Sequence, residues 1–95
     1  MIKTKKFDVT EYLKTEKDIN EYLEVVLEEK DYSFLPVALA DIARARKSMT
    51  AAAKAAGVTR TNLYKSLSEE GRPAFDTVAK VAGSLGYKIT LVPVS

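Results

Sequence analysis

The chain has 95 residues, 46% of them hydrophobic and 29% charged, with a formal net charge of +2. That is room for one compact domain, and no apolar run approaches the ~20 residues a membrane span needs. Cysteine and histidine are both absent, which removes disulfides, thiolate nucleophiles and the usual zinc ligands and general bases.

Taken in chain order, Asp8 and Glu11 have the spacing of a capping box, with Phe7 placed to staple onto Tyr12. Thr15 and Asp18 repeat that start signal. From there Ile19, Tyr22, Leu23, Val26 and Leu27 form one apolar stripe at helical spacing, with Glu16, Glu21, Glu24 and Glu28 mostly off it. This helix should fade near Lys30 and Asp31. Ser33 is the expected N-cap of the next helix, with Pro36 in its first turn and Leu35, Leu39, Ile42 and Ala43 or Ala38 on its apolar face. Arg44, Arg46 and Lys47 crowd its end. There they suit either the helix dipole or a phosphate.

Thr50 is the expected start of a helix over 51–56 that ends at Gly57. Thr59 caps a further helix to about Ser68, and Glu69 to Pro73 form a loop. The fifth helix runs from about Phe75 to Leu85, with Phe75, Val78, Val81, Ala82 and Leu85 facing inward and Gly86 as its terminator. Residues 87–94 alternate with period two and predict a single C-terminal β-strand. The expected class is thus mainly α, about five helices with one C-terminal strand. It divides into an N-terminal helical extension (1–32), a central domain (33–86) and the strand (87–95).

Charge is unevenly spread. Residues 1–32 hold six Lys against nine Asp or Glu, whereas residues 33–95 carry a net +5. Between Asp41 and Glu69 lie six basic residues and no acidic one. Within that window the sequence TAAAKAAGVTRTNLYKSL meets the demands of a helix-turn-helix. Ala53 is small where two helices would cross, Gly57 tolerates positive φ, and Val58 is placed to plug the turn. Leu63 and Leu67 anchor the second helix, leaving Arg60, Thr61, Tyr64 and Lys65 outside. Arg60 and Lys65 can donate to guanine or a phosphate, and Thr61 can meet a base through its hydroxyl or methyl. Thr59 and Asn62 suit phosphate or sugar contacts at the helix N-terminus. Double-stranded DNA is the expected partner.

Residues 33–86 resemble the lambda-repressor-like (Cro/C1, XRE) DNA-binding domain. The resemblance rests on Ala53, Gly57, Val58, Thr59, Leu63, Tyr64, Lys65 and Leu67, then Gly71-Arg72-Pro73 and Leu85-Gly86. Over nearly the whole chain, Phe7-Asp8, Glu11-Tyr12-Leu13, Asp41 to Arg46, and Ser66 to Val78 look like the HigA-like addiction-module antidote proteins, also called DNA-binding prophage proteins. That resemblance implies a type II antitoxin that binds a RelE/HigB-like toxin. It also implies repression of the chain's own operon, as a homodimer on palindromic operator DNA; a stand-alone prophage-type repressor is the alternative. Family members often have Gln just after the cap of the first motif helix. Ala51 stands here, leaving Thr50 and Lys54 as candidates for that contact, with Arg72 a further candidate in its loop. The acidic N-terminal region is the expected toxin contact.

No enzyme chemistry is expected. Adjacent carboxylates occur only at Glu28-Glu29 and Glu69-Glu70, and adjacent helical residues do not face one another. There is no phosphate-cradling glycine loop or metal-ligand spacing, so no cofactor is expected. The basic start lacks the apolar stretch of a signal peptide, which points to a cytoplasmic protein without membrane contact.

Overall fold

In the computed structural model, which describes residues 9–28, 32–68 and 70–94, a 3₁₀ turn at Val9–Tyr12 leads into helix α1, Glu16–Glu28. The expected staple at Phe7 and cap at Asp8, and the fade at Lys30 and Asp31, lie outside the described residues. The second start signal forms in full. The Asp18 carboxylate accepts the backbone N–H groups of Lys14 and Thr15, each at 3.1 Å, and the Thr15 hydroxyl accepts that of Asp18 at 3.1 Å. These bonds favour the ionised acid, the Thr15 amide most, and hold Asp18 below its ordinary pKa.

A second 3₁₀ turn, Tyr32–Phe34, precedes helix α2, Leu35–Ala45. Its N-cap is Phe34, not Ser33, because the 3₁₀ turn carries the chain straight into the helix without a side-chain cap. Pro36 stands in the first turn, where a missing N–H costs nothing. Helix α3 spans Met49–Ala56, α4 spans Arg60–Leu67 and α5 spans Phe75–Ser84. The helix expected from Thr50 therefore begins one residue earlier, behind Ser48 as N-cap, and its first residue is the buried Met49.

Helix α2 is the central element. It touches every other helix, and Ala38, Leu39, Ile42 and Ala43 are all buried. Leu63 and Leu67 of α4, Ala52 and Ala53 of α3, and Val78, Val81 and Ala82 of α5 close around it, with Leu13 and Ile19 in the same cluster. The small residues of α3 let it lie close to α5, its most extensive neighbour. Phe75 departs from the expected inner face of α5: it is 70% exposed, because the first residue of the helix overhangs the core.

Three helices end alike. Lys47, Gly57 and Gly86 take positive φ of 56°, 75° and 91°. After each, an amide reaches back five residues: Ser48 to Ala43 at 2.8 Å, Val58 to Ala53 at 3.0 Å and Tyr87 to Ala82 at 2.9 Å. This is the Schellman closure, for which glycine is the unstrained residue.

The expected C-terminal β-strand does not form: there is no strand among the described residues, and the architecture is an all-α bundle of five helices. Alternation supplies a strand-compatible pattern, but a strand exists only when a neighbour takes up its N–H and C=O groups. No described segment of this chain does so. Among the described residues, no hydrogen bond reaches the backbone of residues 88–94.

Candidate nucleic-acid interface

The corner between α3 and α4 follows from local chemistry. Helix α3 is built from alanines and stops at Gly57, whose left-handed φ turns the chain. Thr59, in extended conformation, restarts it by accepting the Asn62 amide on its hydroxyl at 3.1 Å. Ala53 is 3% exposed and so admits the close approach of the two helices, as its size predicts. Val58 differs from expectation: it keeps 40% of its surface, and its amide rather than its side chain closes the turn.

Leu63 and Leu67 fix the rotation of α4 by facing the core. Arg60, Thr61, Asn62, Tyr64 and Lys65 are consequently exposed, as are Thr50 and Lys54 on α3 and the cap Thr59. A polar groove of about 260 Å³ opens where the end of α2 meets the starts of α3 and α4. Arg44, Lys47, Thr50, Arg60 and Tyr64 line it, and no acidic side chain does. Three cations, a hydroxyl and a phenol around one opening is chemistry suited to a phosphodiester oxygen. Thr50, Arg60 and Tyr64 thus converge. Thr61, Asn62, Lys54 and Lys65 occupy exposed positions on the same two helices. Arg72 lies elsewhere, in a cleft with Ser33, Pro36 and Glu70.

The three cations at the end of α2, alike in sequence, have different surroundings. Arg44 and Lys47 border the groove. Arg44 is paired with Asp41 at 2.9 Å, and the other Asp41 oxygen accepts the Tyr22 hydroxyl at 2.7 Å. Burial, then the bond to Asp41, pushes the Tyr22 phenol well above its ordinary range. Arg46 turns away. Its guanidinium donates to the Leu85 carbonyl at 2.5 Å and to Glu16 at 2.7 Å, and lies 5.6 Å from the centre of the Tyr87 ring. The Tyr87 hydroxyl in turn donates to Asn20 at 2.9 Å. Arg46 therefore ties α1 to the end of α5 instead of facing the groove. Sequence spacing could have suggested this, since Arg46 lies four positions from the buried Ile42.

Among the described residues there is no cluster of acidic side chains able to hold a metal ion, and no helix long and apolar enough to cross a membrane. No solved structure matches the chain. An uncharacterized protein of Haemophilus influenzae is 47% identical over 84 residues, covering 88% of this chain and 86% of the relative. The family model described as "Probable addiction module antidote protein" matches residues 3–93. That is nearly the whole length, and it includes the corner, the groove and the tail. The chain belongs to the addiction-module antidote family, a family of regulatory proteins and not of enzymes.

Proposed function

We propose that this protein is the antidote of a two-protein addiction module, and that it binds operator DNA through the α3–α4 corner. The observation that carries this reading is the acid-free groove of Arg44, Lys47 and Arg60 beside the exposed face of α4. In that reading the groove holds a backbone phosphate while Thr61, Lys65 and Arg60 meet base edges in the major groove. Thr50, Lys54, Thr59, Asn62 and Tyr64 contribute backbone contacts, and Arg72 reaches a neighbouring phosphate. One eight-residue helix spans too few base pairs for high specificity, so two copies bind half-sites about one helical turn apart.

A mobility-shift titration with the promoter upstream of the gene tests this. Arg60→Ala and Lys65→Ala should each weaken binding by about 1–3 kcal/mol, and wild-type affinity should fall steeply with salt. Unchanged binding by both variants would mean that α4 is not the reading helix.

The second half of the reading is a RelE/HigB-like toxin held by the acidic outer face of α1, repression of the operon being the first. Glu21, Glu24 and Glu28 are exposed there, with Val25 between them, a combination that suits a basic protein partner. Because Leu13 and Ile19 share the main core, charge reversal is a cleaner test than deletion. A Glu21→Lys/Glu24→Lys variant should bind the co-expressed toxin more weakly while melting like the wild type. Full toxin affinity in that variant would exclude α1 as the contact.

A further inference from the structure

Helix α1 lines no part of the cationic groove, yet a chain of side-chain bonds runs from it to the groove's edge. The Tyr22 hydroxyl of α1 donates to one oxygen of Asp41 at 2.7 Å, and the other oxygen accepts Nη2 of Arg44 at 2.9 Å. We propose that Tyr22 is a positioning residue of the DNA site, acting through Asp41 to hold the Arg44 guanidinium where it meets a backbone phosphate. The proposal rests on the DNA reading above and adds to it a residue that lies outside the groove.

Comparison with two other ion pairs shows what the tyrosine supplies. Lys17–Glu21 on α1 and Lys80–Asp76 on α5 join neighbouring turns of one helix, with all four side chains at least 50% exposed. Such pairs hold two long side chains loosely and contribute little. Asp41 and Arg44 are also neighbours on one helix, but the Asp41 side chain is only 14% exposed and both of its oxygens are engaged. A carboxylate bonded through one oxygen can still turn about its own axis. Bonded through both, from two helices, its plane is set. Tyr22 is itself fixed, because it packs against the main core. Burial, then Asp41, pushes its phenol far above the ordinary range, so it remains a donor.

The core thus fixes Tyr22, Tyr22 fixes Asp41, and Asp41 fixes one nitrogen of Arg44. An arginine has many rotamers to lose when it grips a phosphate, and one already held in place loses fewer. Arg46, two positions on, shows that a guanidinium at this end of α2 goes where its partners hold it, since Glu16 and the Leu85 carbonyl keep it away from the groove.

Mobility-shift titration of the promoter fragment upstream of the gene tests this with Tyr22→Phe, which keeps the ring in place and removes only the hydroxyl. Affinity should fall about three- to tenfold, the cost of ordering one long side chain. On an Arg44→Ala background the same substitution should change affinity by less than about twofold, because the group it acts through is gone. A purely structural tie between α1 and α2 would instead lower the melting temperature and leave affinity, read well below melting, unchanged. Side-chain nitrogen relaxation by NMR, on the protein without DNA, gives a second readout. The Arg44 guanidinium should become more mobile in Tyr22→Phe and in Asp41→Asn, while that of Arg60 should not. Equal or tighter binding by Tyr22→Phe, an equal loss on the Arg44→Ala background, or an Arg44 as ordered in both variants as in the wild type each overturns the proposal and leaves the DNA reading standing. A wild type that fails to shift the fragment overturns both.

Discussion

The α3–α4 corner and the tail after Tyr87 both carry strong short-range patterns, yet only the corner becomes regular structure. The corner is self-sufficient at the level of hydrogen bonds. Its helices satisfy their own amides, Gly57 closes one end, and the Thr59 hydroxyl opens the next. The tail has the alternation of a strand but, among the described residues, no neighbour that bonds it, and it remains irregular. A helix can be complete within its own segment, whereas a strand is a property of two segments. The same contrast divides their side chains. Leu67 is 1% exposed and Leu91 94%, so one residue type anchors α4 to the core in the first region and stands in solvent in the second.

That contrast can be broken by substitution. Leu67→Ala should cost about 3 kcal/mol, since it removes buried methyl groups and leaves a cavity. Leu91→Ala should change unfolding by less than about 0.5 kcal/mol in dilute solution. Urea denaturation of the two variants gives both values, and comparable losses would mean that the tail is packed as firmly as the corner.

Gly71 joins the corner to α5 and comes next in size. A β-carbon there would run into the backbone carbonyls of Ser66 and Lys65 at the end of α4, which cannot swing aside as a flexible side chain would. Gly71→Ala should cost about 2–3 kcal/mol. For a domain of this size that lowers the melting temperature by roughly 10–20 °C. An unshifted melting curve would show that the end of α4 yields.

The smallest effects sharpen the comparison within the corner. Gly57 and Lys47 occupy equivalent helix ends at φ of 75° and 56°, and only one is glycine. Gly57→Ala should destabilise by about 1–2 kcal/mol. Lys47→Gly should stabilise by about 0.5–1 kcal/mol, the relief of strain exceeding the added freedom of the unfolded chain. Should Lys47→Gly also weaken operator binding, the strained position is kept for its charge at the groove and not for stability. Calorimetry and mobility shift on the same sample separate the two effects.

Much of the corner was legible in the sequence because its determinants are local. Ala53, Gly57, Thr59, Leu63 and Leu67 each take the place their spacing implies. Val58, Phe75 and Ser33 do not, since exposure at a turn or a helix end depends on what stands opposite. The groove was half legible. The cations were visible as a run without acids, but which of them share an opening was not. Arg44, Arg46 and Lys47 lie within four positions of one another, and helix rotation sends Arg46 to Glu16 and Leu85 while its neighbours border the groove.

By itself the sequence determined five helices, the turns at Gly57, Thr59 and Gly86 and the charge of the α3–α4 corner, because an α-helix bonds within itself and is bounded by residues a few positions away. Tertiary structure alone decided which cations converge, that Arg46 clamps α1 to the end of α5, and that the tail forms no strand. Each of those depends on a partner far off in the chain, and alternation or charge cannot specify a neighbour that local sequence does not contain.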